Sequence, residues 1–202
     1  MNEPRLILAS QSERRMNILR QLGLNFHQEF KPVDEQLCVG EKPMDFTLRL
    51  AETKVKAVLD GKPGTVVLGA DTVVAVRKHI LGKPADRENA RQMLRILSGT
   101  RHRVITGICL WETSGQRHLC RAAVTEVAFA PLSEREIESY LDTGEPMDKA
   151  GAYGIQERGS LFVREIRGCY FNVVGFPVRL FYEAWQELLP SVPLPFRSNN
   201  EV

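Results

Sequence analysis

The order of apolar and polar positions alternates short apolar runs with stretches of helical period. Arg5 to Ala9 (RLILA) is an apolar run of strand length, after which Met16, Leu19 and Leu22 recur at helical spacing until Gly23. Ser12 fits the N-cap of that helix and Gly23 the residue just past its end. The helical period returns from about Asp45 to Leu59 through Leu48, Ala51, Val55 and Val58, and Gly61-Lys62-Pro63-Gly64 ends it. Thr65 to Ala70 (TVVLGA) reads as a buried strand that runs on into Asp71-Thr72-Val73-Val74. Arg77-Lys78-His79 reads as a turn. A helix then follows from Asp86, as N-cap, through Ala90, Met93, Leu94 and Leu97 to Gly99.

The second half is richer in strands. His102 to Thr113 and Arg117 to Ala130 are joined by Ser114-Gly115, which predicts a long hairpin. Ser133-Glu134-Arg135-Glu136 fits a capping box opening a helix that stops before Gly144. A glycine-rich loop, Gly151 to Gln156, leads to a strand over Leu161 to Ile166 and an amphipathic helix over Val178 to Leu189. The proline-rich, polar segment from Pro190 is expected to fray as a flexible tail, 190–202. Neither a repeat nor a linker divides residues 1–189, so one domain is expected. Interleaved strands and helices with one antiparallel hairpin predict an α/β fold with a mixed sheet and flanking helices.

Composition narrows the function classes. Of 202 residues, 43% are hydrophobic and 26% charged, which argues against disorder and coiled coil. The net charge of only +2 removes any bulk attraction to nucleic acid or acidic lipid, so an anion site must be local. The start of the chain lacks the apolar stretch of a signal peptide, and the apolar runs fall far short of the ~20 residues a bilayer requires. A cytoplasmic protein without membrane or nucleic-acid partners is the expectation. Cys38, Cys109, Cys120 and Cys169 form no CxxC pair and are read as free thiols. The four histidines form no metal-binding pair. A metal acting here would have to be held by carboxylates, which favours Mg²⁺ or Mn²⁺.

Three groups of residues carry candidate chemistry. Ser10, Ser12, Arg14 and Arg15 sit at a strand-to-helix turn. Two arginines in a first helical turn oppose the helix dipole unless an anion joins them, or unless they pair with Glu13 or another surface acid. Asp71, at the end of an apolar strand, either caps a turn or serves as a general base or metal ligand, since a desolvated carboxylate needs a cation or several donors. Lys54 beside Lys56 in a helix, Lys83 in Gly82-Lys83-Pro84, and Asp34-Glu35 in a loop are each compatible with plain surface charge. Taken together, they suggest a polyphosphate pocket with a divalent metal.

The ordered motifs resemble those of the Maf family. They are Ser10-Gln11-Ser12-Glu13-Arg14-Arg15, Asp34-Glu35, Arg49-Leu50-Ala51 with Lys54, Gly69 to Val74, and Gly82-Lys83-Pro84. Ser98-Gly99 with His102, Val104, Thr106 and Gly107, then Asp148 to Gln156, and Tyr170 to Pro177 complete the series over residues 5–189. The resemblance implies an inosine triphosphate pyrophosphatase-like fold: a strongly twisted sheet and two lobes around a central cleft. It also implies a homodimer and hydrolysis of a nucleoside triphosphate to the monophosphate and pyrophosphate with a divalent metal. On this pattern Asp71 is the catalytic base and, with Glu35, a metal ligand. Ser10, Ser12, Arg14, Arg15, Lys54 and Lys83 bind phosphates, while Arg14, Thr72 and Gln156 set specificity. Thr72 and Gln156 place the chain with the dTTP/UTP branch rather than the one similar to 7-methyl-GTP pyrophosphatases. Glu13 departs from the pattern, which carries proline there, and sets an acid beside the phosphate site. Two readings of another class are a nucleotide-binding regulator of septum formation with little turnover, and a nucleic-acid module using Arg14, Arg15 and Arg101-His102-Arg103.

Overall fold

Apolar runs became strands and apolar periodicities became helices, in the computed structural model that describes residues 4–197. The strands are β1 (Arg5–Ala9), β2 (Phe26–Glu29), β3 (Thr65–Val76), β4 (His79–Leu81), β5 (Arg101–Glu112), β6 (Arg117–Phe129) and β7 (Val163–Arg167). The helices are α1 (Glu13–Gln21), α2 (Pro43–Val58), α3 (Arg87–Leu97), α4 (Glu134–Leu141), α5 (Tyr170–Val174) and α6 (Val178–Leu188). Hydrogen bonds order the strands β2-β1-β3-β5-β6-β7, with β4 on β3 outside that path. β1 runs parallel to β2 and β3, while β3–β4 and β6–β7 are antiparallel, so the sheet is mixed. Two short strands had no signal in the apolar pattern. β2 is the polar sequence FHQE. β4 follows a two-residue turn in which Arg77 takes the left-handed conformation, φ 53°.

The described residues form two compact units, one from 4–71, 106–122 and 175–197, the other from 72–105 and 123–174. In the first, α2 buries Phe46, Thr47, Leu50, Ala51, Lys54, Val55 and Val58. Its apolar face packs with Ile7 and Ala9 of β1, Val67 of β3 and Cys109 of β5. Two glycines let the helix backbone approach the strands. A Cβ on Gly69 would lie 2.3 Å from the Ala51 carbonyl oxygen, and one on Gly107 would lie 2.5 Å from that of Thr47. No side chain fits at either point.

Cys109 and Cys120, read as free thiols, are joined by a disulfide with 4.1 Å between their Cα atoms. The cause is the hairpin: residues 113–116 form the turn, which brings two cysteines 11 apart in sequence opposite one another. Cys38 and Cys169 remain thiols. Where a flexible tail was expected over 190–202, the chain is tied down as far as Arg197, and residues 198–202 lie outside the described residues. Asn25 donates to the Pro195 carbonyl (2.7 Å), Arg197 to the Gly23 carbonyl (2.8 Å), and the Trp185 indole to the Val192 carbonyl (2.9 Å).

In the second unit, α3 and α4 face each other through a ladder of ion pairs. Arg87 reaches Glu138 (2.8 Å) and Asp142 (2.7 Å), Arg91 reaches Glu138 (2.5 Å), and Arg95 reaches Glu134 (2.7 Å). His102 is buried edge-on to the Phe129 ring, with Nε2 2.9 Å from the Tyr153 hydroxyl. Burial alone pushes its imidazole down to about 4.

Two predictions follow from these contacts. Gly69→Ala should lose about 1–3 kcal/mol in denaturant unfolding, because the added methyl drives α2 off the sheet; an unchanged midpoint would contradict the close packing. The unfolded chain protonates His102 near 6.5 and the folded protein only near 4, so this group's contribution to stability is complete above 6.5 and lost as pH falls between those values. His102→Phe should flatten the stability profile over that interval, and an unaltered slope would count against a buried neutral imidazole.

Candidate active site

Lys54 is the centre of the site in the first unit. It lies on the apolar stripe of α2, one turn after Leu50 and one before Val58, so the fold carries its side chain inward. Its ammonium sits 2.6 Å from Asp71 Oδ1 and 2.8 Å from Glu35 Oε1. Lys56, two residues on, is exposed and pairs with Glu52 at 2.6 Å. By charge and position alone these two lysines are alike, and only the motif resemblance singles out Lys54; the helix phase gives the physical reason.

Asp71 ends a stretch, Thr65–Asp71, in which every residue is buried. Burial pushes its carboxyl above the usual aspartate range, while the cations of Lys54 and then Arg15 pull it back down. The net direction is upward, which moves the group towards the range of a base that works near neutral pH. Glu35 reaches the same ammonium from an irregular segment and is more than half exposed. The two carboxylates therefore converge on one cation.

The turn from β1 to α1 brings the next candidates into the same unit. Ser12 is the N-cap, its Oγ accepting from the Arg15 amide at 3.4 Å. Ser10 Oγ accepts from the Ser12 amide (3.1 Å) and from Arg15 Nη1 (3.3 Å). Each hydroxyl thus acts as an acceptor within the protein and keeps an O–H hydrogen to donate. Arg15 is buried, and its Nε donates to the Gly175 carbonyl at 2.9 Å. Its guanidinium feels the charges of Asp71 and Glu35 favourably and that of Arg14 unfavourably. Arg14 is half-buried in the first turn. Glu13, three-quarters exposed, lies 3.9 Å from Arg20 at the far end of the helix. The Gly175 carbonyl, 160 residues from Arg15, lies in the Tyr170–Pro177 motif, to which the sequence reading gave no role.

The second unit holds the remaining candidates. Thr72 is half-buried in β3, and Lys83 and Gln156 are exposed. The loop with Lys83 is fixed where Gly151 donates to the Gly82 carbonyl at 3.0 Å. The loop with Gln156 is held by Glu145, which accepts from the Tyr140 hydroxyl (2.7 Å) and from the Gly159 and Arg158 amides (3.1 Å each).

Among the described residues no group of three or more His, Cys, Asp or Glu side chains converges as a metal cage. Two carboxylates suit a different arrangement. Mg²⁺ is commonly held by one or two carboxylates, with substrate phosphates and water completing its octahedron. Asp71 and Glu35 supply hard oxygen donors of that kind and already share one cation. Among the described residues no helix is long and apolar enough to cross a membrane.

Lys54→Met would leave Asp71 buried without its nearest cation. Breaking such a pair from one side should cost roughly 3–5 kcal/mol at neutral pH. The loss should shrink as pH falls, because the raised Asp71 carboxyl takes up a proton and no longer needs a cation. A pH-independent loss in urea titrations would contradict this assignment.

Comparison with known proteins adds an independent line. The sequence model of a family described as Maf-like protein matches residues 5–188. A protein of Anaeromyxobacter dehalogenans named dTTP/UTP pyrophosphatase is 51% identical over 177 residues, covering 87% of this chain and 89% of its own. One of Symbiobacterium thermophilum with the same name is 49% identical over 173 residues, covering 86% and 88%. Among solved structures, the Ham1 protein of Staphylococcus aureus aligns over 91% of this chain and 90% of its own, with 14% identity and a TM-score of 0.46. The fold assignment rests on the strand order described above.

Proposed function

Because the chain belongs to the Maf family, we propose that it hydrolyses nucleoside triphosphates, dTTP and UTP foremost, to the monophosphate and pyrophosphate. The names of relatives about half identical to it support the reaction and the substrates. The observation that carries the reading is the buried ammonium of Lys54 held between Asp71 and Glu35.

In this mechanism Asp71 accepts a proton from the attacking water. Its desolvated carboxyl is the stronger base for being raised, and Lys54 keeps it ionised and aimed. Asp71 and Glu35 would hold a divalent cation, Mg²⁺ or Mn²⁺, which would supply charge neutralisation of the triphosphate. Arg14, with Arg15 behind it, sets positive charge at the start of α1, where the helix dipole already favours an anion. Ser10 and Ser12 donate their hydroxyl hydrogens to phosphate oxygens. Lys54 exchanges part of its contact with the carboxylates for phosphate when substrate arrives. Lys83 is assigned to phosphate, and Thr72 and Gln156, with Arg14, to discrimination of the base. A polar edge left unpaired by the wrong base rejects it strongly.

A panel of canonical and modified nucleoside triphosphates, scored for pyrophosphate release with Mg²⁺, tests the reading. dTTP and UTP should turn over fastest. Asp71→Asn should lose about 10²–10⁴-fold in kcat while still binding nucleotide. Thr72→Ala and Gln156→Ala should change the ratio of kcat/KM between bases more than kcat itself. Near-normal turnover by Asp71→Asn would remove Asp71 as the base, and a preference for 7-methyl-GTP would replace the substrate.

A further inference from the structure

Glu35 has no regular element to stand on. Residues 30–42, between β2 and α2, contain neither helix nor strand. The turns within the segment are local and exposed: Asp34 Oδ1 accepts from the Gln36 amide (2.9 Å), and the Cys38 carbonyl accepts from the Glu41 amide (3.1 Å). Phe30 and Val33, before Glu35, are half-buried, but the apolar side chains after it give no anchor, since Leu37 and Val39 both face solvent. Ordering so many backbone bonds without burial is entropically unfavourable, so some other contact must hold Glu35 at Lys54.

That contact comes from α2 itself. Arg49 Nε and Nη2 donate to the two carboxylate oxygens of Glu41 at 2.6 and 2.7 Å, a forked ion pair. Nη2 also donates to the carbonyl of Gln36 at 2.9 Å, the residue immediately after Glu35. Glu41 Oε2 in turn accepts from the Cys38 amide at 3.1 Å. The guanidinium lies 5.4 Å from the centroid of the buried Phe46 ring, which backs it on the helix. One arginine therefore ties the irregular segment to the helix at two places, Glu41 and Gln36, and the latter adjoins Glu35. The same helix carries Lys54, so Glu35 and its partner share one rigid reference.

We infer that Arg49 and Glu41 are positioning residues of this enzyme: their forked pair holds the 30–42 segment against α2 so that Glu35 presents its carboxylate at Lys54. The inference rests on the reading of Glu35 as a metal-holding group in the proposed reaction. Lysine at position 49 keeps the charge and loses the planar fork, so charge and geometry can be separated.

The experiment compares wild type, Arg49→Lys and Glu41→Gln, each alone and combined with Glu35→Gln. Three quantities are read: hydrogen exchange of peptides covering 33–42, the melting temperature, and the Mg²⁺ concentration giving half-maximal pyrophosphate release. Breaking the fork should speed exchange in that segment and leave the melting temperature near wild type. It should raise the Mg²⁺ requirement roughly 10–100-fold, the usual effect of losing a group that orients a metal ligand. In the Glu35→Gln background neither change should raise the requirement further, because the residue they position is already disabled. Unchanged exchange in both variants overturns the inference. So does an Mg²⁺ effect that multiplies with that of Glu35→Gln, or a loss of kcat with the requirement unmoved. If the wild type releases no pyrophosphate with any nucleotide, the proposed function fails, and the exchange comparison still decides whether the fork orders the segment.

Discussion

A lysine ammonium held out of water between two carboxylates is the arrangement on which the rest of the first unit depends. Taking such charges from water is costly, and the cost is recovered only with close geometry and further partners. Lys54 meets both conditions, with contacts of 2.6 and 2.8 Å to groups from two separate segments. Reaching them requires α2 to lie against the sheet at backbone distance. Gly69 and Gly107 provide this, since a methyl group at either would collide with a helix carbonyl. The arrangement of Lys54 with its two carboxylates thus follows from packing: the missing side chains on the strands set the depth of the helix, and that depth sets where the ammonium sits.

The same helix organises what has no structure of its own. Its outer edge offers Arg49 to the 30–42 segment, and its inner face offers Lys54 to Asp71. At the other strand-to-helix turn, Arg15 is fixed by the Gly175 carbonyl and Ser10, leaving Arg14 nearer the surface. Of two adjacent arginines, Arg15 is buried and anchored within the protein and Arg14 is half-buried, and it is the latter that the proposed reaction gives to the substrate. Burial and neighbouring charge then divide the labour among residues that are chemically alike.

Much of this was legible in the order of residues, and the failures have physical causes. Strands with buried faces, such as Thr65–Val76, announce themselves through apolar runs, as does each helix with a stripe like that of α3. β2 could not be read this way, because an edge strand of FHQE derives its pairing from β1 and not from its own composition. Lys54 and Lys56 are alike in charge, and the motif resemblance singles out Lys54 without saying why; helix phase does, since only Lys54 falls in line with Leu50 and Val58. The cysteine pair was hidden for want of a local motif, although the hairpin register, once drawn, sets positions 109 and 120 opposite each other. Within the segment after Pro190, residues 195 and 197 hydrogen-bond to Asn25 and Gly23, contacts that composition cannot reveal.

The most direct test of the central pair is a double-mutant cycle on stability, with Lys54→Met, Asp71→Asn and the combination unfolded in urea at neutral pH. Contacting charges that share a buried site should couple by about 0.5–3 kcal/mol. The double variant should therefore be more stable than the sum of the single losses implies, and should recover much of what Lys54→Met alone forfeits. Losses that simply add would mean that ammonium and carboxylate do not depend on each other, and would contradict the arrangement from which the proposed chemistry proceeds.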